Sequence, residues 1–435
     1  MSNKTRSLFP NLNATVAFYD HGNFFITLNS ISEAHLAAIR ADPNTEANIE
    51  HLKTIQHETR HFSDHFCTLW GQKNLLKYIR AINARVENRT ENFPDIIDYC
   101  IECNQLFYAN YYTEQYGYVP VDSIARRWKW HSTTGLRFNA KGQSDPHAPL
   151  PMIHFTAYDD TPLLRIPLSI ASLLETNAKW EEIQLQLGFI AAMDEKERPF
   201  HFKEFERDTL FRLLYDQNYA LYNVAVHLAA NCLGLRDIIM AFRIASSIAT
   251  LTLNLPYDLV QKIPIHKKFE KWGERSRFML ENNEYGFIYY LLLSNYRAFF
   301  EKKQAFVLQD VLECSGLPDY ASVKQKVDGE LSVIQQQIQE MPNLAEFFYG
   351  NALVGRKICN EAGLGFEKKP LFQLLLDNHF VPKMLCSDTL LDDISHTPAE
   401  IFAMRPIKTM SDGEWFDFAA DIYDRLTELF EVRGI

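Results

Sequence analysis

With 435 residues, 47% hydrophobic and 23% charged, the chain can bury a sizeable core and has globular composition, enough for two domains. A formal net charge of −11 excludes a general nucleic-acid binder, whose contact face would be basic. Met1 to Arg6 is polar with no long apolar run behind it, and nowhere do about 18 uncharged apolar residues follow one another, so neither a signal peptide nor a transmembrane helix is expected. Seven scattered cysteines, an odd number, fit a reducing cytoplasm.

In chain order, Ala14 to Tyr19 and Phe24 to Leu28 are rich in β-branched and aromatic residues. Asp20-His21-Gly22-Asn23 separates them with turn chemistry and predicts a hairpin. Ser30 to Ala41 reads as a short helix capped by Ser30 or Ser32. Thr45 to Trp70 then runs without Pro or Gly, so a long helix is expected, with Gly71 as its stop. Leu52, Ile55, Phe62, Phe66 and Leu69 fall on one stripe of that helix, and His57, His61, Asp64 and Thr68 fall opposite, looking into a polar space.

This helix carries the chemistry. His57-Glu58-Thr59-Arg60-His61 is an HExxH pattern: imidazoles four residues apart share one face and can hold one tetrahedral metal, with Glu58 beside it to take a proton from a bound water. The competing reading is a solvated face in a locally His-rich stretch, since His51 and His65 are also there. His65 is rejected as a third ligand. It stands two turns from His57, roughly 12 Å along the axis, and no glycine breaks the helix between. Asp64 is a candidate for supporting His61 from one turn away.

Asn74 to Val86 predicts a second helix, and Pro94 opens a third that runs to about Tyr112. Cys100-Ile101-Glu102-Cys103 is a lone CxxC without the second pair a structural zinc needs, so core cysteines are expected. Arg126-Arg127-Trp128-Lys129-Trp130 mixes basic and aromatic residues and reads as an amphipathic surface segment rather than a single-strand nucleic-acid site. Leu136 to Asn139, Met152 to Tyr158 and Leu163 to Ile166 are short apolar runs punctuated by Gly142, Pro146, Pro149, Pro151 and Asp159-Asp160. They predict a small β region pairing with the N-terminal hairpin.

Pro167 to Lys179 reads as a helix able to supply a third metal ligand. Glu175 lies in apolar context, with Ala171 and Ala178 on its own face; Glu182, Asp159 and Asp160 are the rivals. HExxH with a glutamate on a later helix resembles the gluzincin group of zinc metallopeptidases. The resemblance covers His57 to His61 and the Glu175 segment; Leu174 and Lys179 depart from the thermolysin-like Asn-Glu-x-x-x-Asp form. It implies one zinc held by His57, His61 and Glu175, Glu58 as general base, and a tyrosine or histidine as oxyanion donor, for which Tyr158, Tyr219, Tyr222 and His227 are candidates. By the same analogy Phe24 to Leu28 would be an edge strand holding a peptide. Ligand type favours zinc over iron, manganese or nickel.

Phe205 to Leu233, Asp237 to Leu253, Asn283 to Phe300, Ala321 to Gln339 and Trp415 to Val432 show helical periodicity. Gly363 to Glu367 reads as a turn. The expected architecture is therefore α+β, predominantly α-helical, with a zincin-like metal-binding domain over residues 1–200 carrying the small sheet and a helical domain over 201–435 that shapes the cleft or binds a protein partner. The expected function is zinc-dependent hydrolysis of a peptide or protein substrate in the cytoplasm. A helical interaction or regulatory protein with a non-catalytic HExxH, and a metallohydrolase that does not act on peptides, are the alternatives.

Overall fold

A computed structural model of the chain describes residues 16–389 apart from 23, 44, 88–92, 122–125, 140, 304 and 343–344. The helix expected over Trp415 to Val432 lies outside the described residues. The chain opens with β1 (Ala17–Tyr19), β2 (Phe25–Leu28), α1 (Glu33–Ala41), α2 (Glu46–Cys67), α3 (Leu69–Glu87) and α4 (Phe93–Tyr112). Next come β3 (Glu114–Gln115), β4 (Lys129–Phe138), β5 (Ser144–Thr156), β6 (Pro162–Pro167), α5 (Ile170–Ala192), α6 (Arg198–Glu204), α7 (Phe211–Leu214), α8 (Ala220–Leu233) and α9 (Ile238–Asn254). The remainder is α10 (Tyr257–Val260), α11 (Glu274–Glu281), α12 (Tyr285–Lys303), α13 (Leu308–Cys314), α14 (Tyr320–Gln339), α15 (Ala345–Ala362), α16 (Leu371–Asp377) and β7 (Lys383–Cys386). The fold is α+β and predominantly helical, with two small sheets. Among the described residues no single helix is long and apolar enough to cross a membrane.

Two compact units divide the chain. The first comprises Met1–Asn104, Asp328–Ala362 and Lys368–Ile435; the second comprises Gln105–Val327 and Gly363–Glu367. The expected division at residue 200 falls inside the second unit, where α5, which starts at Ile170, packs on α8 and α9.

In the first unit the hairpin forms as its sequence dictates. Asp20 accepts from the Gly22 amide through its side chain, and β1 and β2 pair antiparallel. The sheet order is β1-β2-β7, with β2 parallel to β7. Phe25–Leu28 is thus the central strand and not the edge strand expected of it: both flanks are already paired, which leaves no backbone row for a peptide to join. Ser32 caps α1 through the His35 amide, and Thr45 caps α2 through that of Asn48.

The end of α2 differs from expectation. Thr68 leaves the helix in extended conformation, and α3 begins at Leu69, so Gly71 lies inside α3 rather than stopping α2. Thr68 Oγ1 accepts from the Gly71 amide at 3.0 Å. A Cβ at Gly71 would collide with the carbonyls of His65 and Asp64, so the glycine serves the close return of the chain. A Cβ at Gly355 of α15 would likewise strike the Phe66 carbonyl, and α15 packs on α2. Phe62, Phe66, Trp70, Tyr78 and Phe348 fill the core around this crossing.

In the second unit the sheet order is β3-β6-β5-β4, all antiparallel. Among the described residues these strands pair with one another and not with the N-terminal hairpin, whose partner is β7. β5 runs through Pro146, Pro149 and Pro151, where punctuation is expected from the sequence. Pairing with β6 starts only at Met152, so these prolines lie where β5 has β4 alone beside it and a missing N–H costs no ladder bond. The helix expected over Phe205 to Leu233 is broken. A wider helical turn at Phe205–Leu210 leads into α7, the chain bends at Tyr215-Asp216, and α8 starts at Ala220. The Asp216 side chain accepts from the Asn218 amide there, a local bond that competes with helix continuation. Gly363 has a positive φ of 92° in the turn expected there.

Candidate metal centre

Helix α2 brings His57 and His61 one turn apart on one face. Their rings are edge-to-face, 82° apart, and their Nε2 atoms converge to 3.2 Å. Two nitrogens each about 2.05 Å from one tetrahedral ion stand about 3.3 Å apart, so the pair is already at the separation a shared ion requires. His57 is half-buried and His61 is buried. The polar space expected on this side of the helix is narrower than the periodicity implied: Asp64 and Thr68 are fully buried as well, so α2 is enclosed all round from Glu58 onward.

Glu58 is 5% exposed, and its Oε2 accepts the Tyr19 amide hydrogen at 2.8 Å. The last residue of β1 thus fixes the direction of this carboxylate. Tyr19 has a second role, with its phenol oxygen 3.0 Å from His65 Nδ1. His65 therefore faces Tyr19, and burial lowers its pKa to about 3, which keeps the ring neutral. Asp64 accepts from Arg60 Nε at 3.0 Å in a pair buried on both sides.

Helix α5 starts with a reciprocal Ser169–Ser172 cap. Ile170 to Ala178 is buried without interruption, and Glu175 is 1% exposed. A divalent ion would supply the positive charge that a carboxylate at this depth favours. The rival acids are engaged elsewhere: Glu182 with Lys179 at 2.7 Å, Asp160 with Lys129 at 2.8 Å, and Asp159 with the Thr161 amide at 3.1 Å.

The oxyanion candidates separate by surroundings. Tyr158 is 43% exposed beside Arg126. His227 is buried with Nε2 2.7 Å from the Leu214 carbonyl, and burial lowers its pKa to about 4. Tyr222 lies against α5 next to Glu175, since its carbonyl accepts from Thr176 Oγ1 at 2.9 Å. Lys179 lies 5.8 Å from the ring centres of both Tyr219 and Tyr222. Cys100 and Cys103 are buried helix neighbours whose thiols burial pushes up, Cys100 to about 12, as befits core cysteines.

Sequence reasoning missed Tyr19 as the group that orients Glu58. The only signal was its place at the end of a strand beside the metal helix, and a backbone amide leaves no mark in a residue pattern. The chain matches no protein-family model, no curated protein and no solved structure.

Proposed function

We propose that the chain is a zinc-dependent hydrolase acting on peptides, with His57, His61 and Glu175 as the metal ligands and Glu58 as the general base. The observation that carries the reading is the 3.2 Å convergence of two imidazole nitrogens on one helix face, with a buried, oriented carboxylate next to the first of them. Glu175 as third ligand is supported by its burial, 1% exposed in the uninterrupted buried stretch of α5. Two imidazoles and one carboxylate are a donor set of catalytic zinc, which uses three protein ligands. When bound, the ion supplies a Lewis acid and brings the pKa of water toward neutrality.

Glu58 receives the proton at its carboxylate, and the Tyr19 amide holds that group in one direction so that little reorganisation accompanies the transfer. The enclosure of α2 from Glu58 to Cys67 limits competing water around these groups. Tyr222, whose carbonyl accepts from Thr176 next to Glu175, is the candidate for binding the developing oxyanion. A peptide substrate rests on the resemblance of His57 to His61 to zinc metallopeptidases. Seven free cysteines support a reducing cytoplasmic setting.

A peptide-library digest with zinc-loaded protein tests the reading. Cleavage by the native chain, lost in Glu58→Gln at equal zinc content, supports it. Zinc-loaded protein that cleaves no peptide contradicts the substrate class.

A further inference from the structure

The second unit contains a cavity of about 670 Å³ between the bend at Phe211–Tyr215, the C-terminal half of α8 and the start of α9. Its volume is within the range of small-molecule sites. Aromatic rings form much of the wall. Trp128 stacks on His227 at 21° with ring centres 5.6 Å apart, and Tyr215 stands edge-on to Trp128 at 5.5 Å. The wider helical turn at Phe205–Leu210 leads directly into this wall, and such turns often accompany functional sites.

The polar groups of the wall are unevenly used. The Asp237 carboxylate accepts from the Met240 amide at 2.9 Å and caps α9. His227 Nε2 is committed to the Leu214 carbonyl. Arg127 and Arg236, by contrast, make no ion pair or hydrogen bond among the described residues, although acids outnumber bases by eleven in this chain. Burial raises the pKa of the Tyr215 phenol, and the charge of nearby Arg127 opposes that rise. The indole N–H of Trp128 is buried without an acceptor, a donor that natural interiors seldom leave unmet.

We infer that this cavity is a second binding site, independent of the metal chemistry, for a small organic anion with a flat aromatic body: rings pack among Trp128, Tyr215 and His227, and the anionic end meets Arg127 and Arg236. A guanidinium binds carboxylate and phosphate alike through paired N–H donors, so an aromatic carboxylate and a mononucleotide present the same chemistry to it.

The test uses the full chain and two fluorescent probes, 8-anilinonaphthalene-1-sulfonate and the uncharged N-phenyl-1-naphthylamine. The sulfonate should bind saturably at one equivalent. Arg127→Gln/Arg236→Gln should weaken it at least about tenfold, the loss expected of charge-assisted contacts, and leave the uncharged probe unchanged. Ala230→Trp, which fills the cavity, should remove both. Displacement by adenosine monophosphate assigns a phosphate ligand, and displacement by indole-3-acetate a carboxylate. Equal sulfonate binding in the double arginine variant, with native near-ultraviolet circular dichroism, overturns the inference, as does binding that survives Ala230→Trp.

Discussion

The Nε2 atoms of His57 and His61 stand 3.2 Å apart on consecutive turns of one buried helix. Two imidazole nitrogens at that distance either share a hydrogen, one donating to the other, or would both direct their lone pairs at one ion. This relationship connects a five-residue pattern to a testable chemistry.

Glu58→Gln keeps the side chain's shape and its bond from the Tyr19 amide but removes its basicity. Hydrolysis should fall by about 10²–10⁴-fold, the usual contribution of a positioned general base. Zinc content and thermal unfolding should be unchanged. Activity retained in this variant would remove Glu58 from the mechanism.

Glu175→Ala and His65→Asn separate a ligand from a neighbour. The first should weaken zinc binding by more than about a hundredfold, beyond what loss of an outer-shell partner costs. The second should leave affinity unchanged, because His65 faces Tyr19. Competition with a chelator reads both. Equal affinities in the two variants would contradict the assignment of Glu175.

His227 makes stability depend on acid. Burial lowers its folded pKa to about 4, against about 6.5 unfolded. The folded state therefore binds fewer protons between those values, so its full stability is present above pH 6.5 and is lost as pH falls toward 4. The loss is on the order of 3 kcal/mol. His227→Gln should flatten the fall in urea midpoint over that window. An unchanged slope would locate the acid sensitivity elsewhere.

Gly71→Ala places a methyl group against the carbonyls of His65 and Asp64. Because both clashes are with backbone, relief requires moving α3 from α2, and the variant should lose on the order of 3 kcal/mol. A denaturant midpoint equal to that of the native chain would refute the close approach.

The sequence made the helices legible where apolar spacing and caps agreed, as in α1 with Ser32 and α9 with Asp237. It failed where a partner distant in sequence decided the outcome. β7 lies more than 350 residues from β2, so nothing local could show that β2 is central. Gly71 looks like a stop in one dimension and is a contact in three. Pro149 and Pro151 read as breaks because proline has no N–H for a ladder, and a local pattern does not show that β6 pairs with β5 only from Met152. At the candidate site, His57, Glu58 and His61 were visible because a metal pair must repeat with the helix. Glu175 was visible only as an acid in apolar context, and the Tyr19 amide not at all.

The most direct measurement is the metal content of the purified chain after zinc reconstitution and removal of excess, beside a His57→Ala/His61→Ala variant. About one zinc per native chain and none in the variant is the result expected of a three-ligand site. No zinc in the native chain, or equal zinc in both, would contradict the metal centre and leave α2 a buried helix whose histidines are structural.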